Sequence, residues 1–99
     1  MTDLFSLEGK AALVTGGGSG LGQAIAFGLA SSGARVAVTG RDSAKLNETV
    51  NMITEKGASA VAVEMDILDS DSVNEAVSRV VEEFGHIDIL VNSAGVHLK

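Results

Sequence analysis

Apolar, β-branched runs alternate with helical stripes along the whole chain. AALVT at 11–15, RVAVT at 35–39 and AVAVE at 60–64 recur at near-even intervals, and IDILV at 87–91 makes a fourth run. Their continuous apolar character, rather than strict alternation, predicts strands covered on both faces, as in a parallel sheet. The gaps carry a different period. Leu21, Ile25 and Leu29, then Leu46, Val50 and Ile53, then Val73, Val77, Val80 and Phe84 fall three or four apart, and each stripe predicts a helix with one apolar face on the sheet. Gly33, Gly57 and Gly85 follow the stripes, where a helix end accepts a residue without Cβ. Asp42 or Ser43 would cap the second helix; for the third, the Asp69 to Asp71 cluster competes with a Ser72–Glu75 capping box.

Strictly alternating strand and helix means βαβ units with right-handed crossovers, hence four parallel strands in the order 3-2-1-4 with three helices. This is an α/β fold, half of a doubly wound sheet, occupying residues 1–99 as one domain with no linker or finer repeat. The topological switch falls between strands 1 and 4, and ligands of such sheets bind beyond the carboxyl ends of the strands there. TGGGSGLG and NSAG both sit at those ends. Helices 1 and 2 would cover one face and helix 3 alone the other. Strand 4 is then an unpaired edge beside a partly bare face, which predicts self-association.

The turn between the first strand and first helix is Gly16, Gly17, Gly18, Ser19 and Gly20. Glycine lets a phosphate approach the backbone, and the first amides of a helix lack intrahelical partners and point at such an anion. Gly22, inside the helix, is a poor choice by propensity, costing about 1 kcal/mol relative to alanine, so close packing is the reason to expect there. The spacing separates the known phosphate motifs. G-x-G-x-x-G fails, because Gln23 or Leu21 stands where its last glycine is required. Gly17 and Gly22 have the gap of an NTPase phosphate loop, but Gln23 and Ala24 replace its Lys and Ser or Thr, which removes the groups that bind phosphate and Mg²⁺.

Thr15-Gly16-x-x-x-Gly20-x-Gly22 resembles the TGxxxGxG pattern of the short-chain dehydrogenase/reductase family, and Asn92-Ser93-Ala94-Gly95 resembles its NNAG motif. The resemblance covers the whole chain as the family's N-terminal, Rossmann-type cofactor-binding half. It implies that Gly16, Gly18, Ser19, Gly20, Leu21 and Gly22 line the diphosphate, Asp66 and Ile67 the adenine, and Asn92, Ala94 and Gly95 the adenosine ribose side. Ser93 stands where the family usually has a second Asn, which leaves the local hydrogen bonding open. At the end of strand 2 an acid selects NAD through the ribose 2′-hydroxyl and an Arg suits a 2′-phosphate. By the resemblance, Gly40 occupies the acidic position and Arg41 the basic one, which favours NADP. NAD is the alternative: Asp42 could reach the ribose, and Ser19 stands where many NADP members carry a base.

Composition narrows the partners. A net charge of -6 argues against nucleic acid, whose affinity depends on Lys and Arg. The sequence has no apolar run of membrane length and no signal-like start, and it lacks cysteine; the expectation is a cytoplasmic protein away from membranes. The resemblance further implies a catalytic Ser and a Tyr-x-x-x-Lys helix, yet the chain contains no tyrosine. No catalytic residue is assigned: His86 and His97 read as solvated, and Asp69, Asp71, Glu82 and Glu83 as caps and helix faces rather than metal ligands. The expectation is the NAD(P)-binding part of an oxidoreductase acting on an alcohol or carbonyl, inactive alone. The alternative is a non-catalytic nucleotide-binding or interaction module.

Overall fold

In the computed structural model, which describes residues 6–18 and 20–93, the order is β1 (Ala11–Thr15), α1 (Gly20–Ser31), β2 (Arg35–Gly40), α2 (Ser43–Glu55), β3 (Ala60–Glu64), α3 (Ser70–Phe84) and β4 (Ile89–Asn92). The strands make one parallel sheet ordered β3-β2-β1-β4, with Leu13 of β1 opposite Ala37 on one side and Leu90 on the other. With right-handed crossovers this order puts α1 and α2 on one face of the sheet and α3 on the other. Side-chain alternation along β1 and β2 then divides the core. Ala12, Val14, Val36 and Val38 pack with Leu46 and Ile53 under α1 and α2, while Ala11, Leu13 and Ala37 pack with Val80 and Phe84 under α3. Leu46 and Ile53 are the largest side chains buried outright, and each contributes about 2 kcal/mol by leaving water.

Three expectations need correction. Only β1 and β2 are covered on both faces; β3 and β4 are the sheet edges and most of their residues are half-exposed. The fourth strand starts at Ile89, not at 87, because Ile87 turns into the α3-side cluster and Asp88 spends its side chain on β1. In α1 the fully buried residues are Gly22, Ala26 and Ala30, and Ile25 and Leu29 of the expected stripe pack half-buried beside them, whereas Leu21 is 61% exposed. Hydrophobic periodicity weights large side chains, but a helix that lies close to strands does so through small ones. The other two helices show the same one-residue shift at single positions: Thr49 is buried where Val50 was expected, and Ala76 lies between half-buried Val73 and Val77.

The helix ends are satisfied locally. Asp42 caps α2 by accepting from Lys45 N at 3.2 Å, and Asp69 caps α3 by accepting from Asp71 N and Ser72 N. Ser72 therefore lies inside the helix and forms no capping box; its hydroxyl accepts from Asp66 N at 2.9 Å. Gly85 closes α3 in the left-handed conformation (φ 87°). Next to it, the Arg35 guanidinium stacks 5.0 Å from the Phe84 ring and donates to the Phe84 carbonyl, a cation placed where the helix dipole is negative. At the start of the sheet the Asp88 carboxylate accepts from Ala11 N at 2.9 Å and pairs with His86 Nε2 at 2.8 Å. The Ala11 amide, and then the charges of His86 and Lys10, hold the Asp88 carboxyl below its usual range against the opposing effect of desolvation.

Candidate functional site

The carboxyl ends of β1 and β4 are laced together by the two motifs found in the sequence. Thr15 Oγ1 donates to Asn92 Oδ1 at 2.9 Å and accepts from Ser93 N at 3.1 Å. The Ser93 hydroxyl donates to the Thr15 carbonyl. Serine at this position thus has a definite partner, and the turn that follows β1 is fixed to the end of β4.

Within that turn the donors divide into two groups. Gly16 N and Gly17 N both point at the Thr39 carbonyl of β2, at 2.8 and 3.1 Å. The Gly16 amide is thus taken, and its φ of 68° lies in a region costly to any residue with a Cβ. The first-turn amides of α1, from Gly20, Leu21 and Gly22, have no intrahelical acceptor. Among the described residues neither they nor Gly18 N donate to a turn or loop carbonyl. These are the groups available to an anion, and the helix dipole reinforces them.

Gly22 explains why this helix can come so near. A Cβ built there would lie 2.0 Å from the Gly16 carbonyl oxygen and 2.7 Å from Ser93 Oγ. At Gly17 a Cβ would meet Val38 Cβ at 2.6 Å. Two glycines are therefore required by space alone, and the turn is pressed between β2, β4 and its own helix.

From the turn a hollow of about 240 Å³ runs to the end of β2, lined by Gly16, Gly18, Gly40, Arg41, Asp42, Lys45 and Leu46. Among the described residues no carboxylate lies within ion-pair distance of Arg41 or Lys45. The Asp42 carboxylate is occupied as the α2 cap. A larger recess of about 480 Å³ lies at the opposite end of the sheet, among Glu8, Phe27, Ile53 and the last residues of α1 and α2. It faces helix C-termini, which repel anions, so the smaller hollow is the one suited to a phosphorylated ligand.

Asp66 and Ile67 follow β3 on the same edge of the sheet. Asp66 Oδ1 accepts from Leu68 N at 3.0 Å in a local turn, and Ile67 is exposed. Asn92 is the last residue of β4. Ser19, Ala94 and Gly95 lie outside the described residues. Sequence reasoning missed Lys45 and Thr49. Lys45 falls one helical turn beyond Arg41, and Thr49 is a polar residue on the apolar stripe of α2; both signals were present in the spacing.

A parallel sheet with an orphan-amide helix start and a glycine turn at its switch point defines a Rossmann-type dinucleotide-binding fold. The family model for short chain dehydrogenase matches residues 10–99, and the chain belongs to that family. A curated relative, 2-dehydro-3-deoxy-D-gluconate 5-dehydrogenase of Escherichia coli (strain K12), is 44% identical over 92 residues, covering 93% of this chain and 36% of the relative. Among solved structures, a dehydrogenase/reductase from Sinorhizobium meliloti 1021 is similar with a TM-score of 0.90 at 45% identity, covering 93% of this chain and 37% of that one. A short chain dehydrogenase from Burkholderia cenocepacia J2315 in complex with NADP gives 0.86 at 49% identity, covering 91% and 37%. The chain spans between 29 and 41% of the length of such curated relatives.

Proposed function

We propose that this chain binds a nicotinamide dinucleotide, with the diphosphate on the first turn of α1 and the adenosine ribose in the hollow beside Arg41 and Lys45. The orphan amides of Gly18, Gly20, Leu21 and Gly22, held against the end of β4 by a position too tight for any Cβ, carry this reading. NADP is preferred over NAD: two cations with no carboxylate partner among the described residues line the hollow, and Gly40 stands where an acid would grip a 2′-hydroxyl. The NADP complex of the Burkholderia relative supports the same choice. Asp66 and Ile67 would flank the adenine, and Asn92 the ribose side, as the family resemblance implies.

In the whole protein we place an oxidoreductase acting on an alcohol or carbonyl in the cytoplasm, with the cofactor supplying the hydride. This chain's residues bind and orient that cofactor. Without a tyrosine it lacks the family's proton donor, so the 99 residues alone bind without turnover. Titration with NADPH and NADH, followed by the emission of the reduced nicotinamide because the chain has neither Trp nor Tyr, should saturate with both and more tightly with NADPH. No saturation with either would remove the reading.

Self-association is part of the proposal. Among the described residues β4 bonds β1 alone in the sheet, and Leu90, pointing away from the side where Ile89 and Val91 pack, is 67% exposed. An unpaired strand edge with an apolar residue beside it is a template for another chain. Sedimentation velocity should show a mass that rises with concentration; a monomer at every concentration would overturn this.

A further inference from the structure

We propose that Thr49 of α2 is a positioning residue for the diphosphate seat, acting through the Gly17 carbonyl. The inference rests on the reading that the glycine turn holds a dinucleotide. Thr49 is completely buried, on a helix face otherwise formed by Leu46 and Ile53. Its hydroxyl donates to the Gly17 carbonyl at 2.8 Å and accepts from Gln23 Nε2 of α1 at 3.0 Å. The Lys45 carbonyl, one turn back on α2, lies at 3.3 Å, the longer and secondary contact for the single hydroxyl hydrogen. An apolar side chain would suit such a position by burial alone, and a buried hydroxyl costs free energy unless its bonds are made. Here they are made to two other elements rather than only within the helix.

The consequence for binding follows from peptide geometry. The Gly17 carbonyl and the Gly18 amide share one rigid plane, with C=O and N–H pointing in opposite directions. Holding the carbonyl on Thr49 therefore aims Gly18 N–H away from α2. The preceding peptide is held separately, through Gly17 N on the Thr39 carbonyl, so Thr49 is the contact that fixes the Gly17–Gly18 plane. The grip is needed because glycines flank it, and glycine gives almost no steric resistance to a peptide flip. A flipped peptide would present a carbonyl oxygen to the phosphate in place of a donor. Thr49 also ties the turn to the helix that bears Lys45, whose Cβ would be only 3.1 Å from a Cβ on Gly18.

The test compares Thr49→Ser, which keeps the hydroxyl, with Thr49→Ala, which removes it, by NADPH and NADH titration well below each variant's melting temperature. Thr49→Ser should bind within about 2-fold of the parent chain, and Thr49→Ala about 10-fold more weakly, equally for both cofactors because the diphosphate is common to them. Where Thr49→Ala yields too little folded protein, Thr49→Val, which keeps the shape of the side chain and removes the hydroxyl, takes its place under the same criteria. Folded Thr49→Ala binding like the parent, or Thr49→Ser as weak as Thr49→Ala, would make Thr49 a packing residue and overturn the proposal. If the parent chain itself binds neither cofactor, the diphosphate reading has failed, a result visible before any variant is compared.

Discussion

Gly22→Ala should cost the chain both its cofactor affinity and part of its stability, while Gly28→Ala in the same helix should stabilise it. The substitutions are chemically identical and their surroundings are opposite. At Gly22 the new Cβ would sit 2.0 Å from one backbone oxygen and 2.7 Å from the Gly16 carbonyl carbon, atoms that cannot rotate out of the way. The helix must lift, and overpacking of this kind outweighs the gain in helix propensity, for a net loss of about 2 kcal/mol. Lifting α1 also separates its first amides from the crevice, and losing several charge-assisted hydrogen bonds together weakens binding about 100-fold. At Gly28 a Cβ meets nothing within 4 Å, so only propensity acts, adding about 1 kcal/mol. Urea unfolding by circular dichroism, with cofactor titration, checks both. A Gly22→Ala chain as stable and as tightly binding as the parent would mean the close approach is not as described.

The second large effect concerns cofactor choice. Arg41→Ala should weaken NADPH about 10- to 100-fold and Lys45→Ala about 10-fold, with NADH nearly unaffected, because a hydrogen bond to a charged group contributes about 1.5–3 kcal/mol and these two are exposed. The two losses should be less than additive in the double variant, since both cations face one hollow. NADPH affinity should also fall more steeply with salt in the parent than in either variant. Equal losses for NADPH and NADH would show that the pair does not read the 2′-phosphate. In that case Asp42 would become the ribose contact and NAD the cofactor.

What could be read from the sequence was the part governed by period and punctuation. The four strands, three helices, their order in the sheet and the glycine turn all followed from apolar spacing and from where glycines interrupt it. What escaped depends on three-dimensional proximity. No pattern announces that the Thr39 carbonyl takes the amides of Gly16 and Gly17, because that bond joins residues two elements apart. The contact face of α1 escaped because Gly22, Ala26 and Ala30 carry little hydrophobic weight, although they touch the sheet and Leu21 does not. The start of β4 was misplaced because Ile87 is apolar for the sake of α3, not the ladder. Thr49 shows the converse: a hydroxyl in an apolar stripe marks a place where another element must be held.

The small-residue face of α1 makes that helix behave as a lever. Its fully buried positions, Gly22, Ala26 and Ala30, are all small, so there is little compressible material along that line to absorb a shift at its middle. Added bulk at Ala26 or Ala30, one and two turns along the helix from Gly22, would be transmitted along a stiff rod to its amino end. In this domain a change deep in the core and a change at the cofactor are therefore one mechanical event.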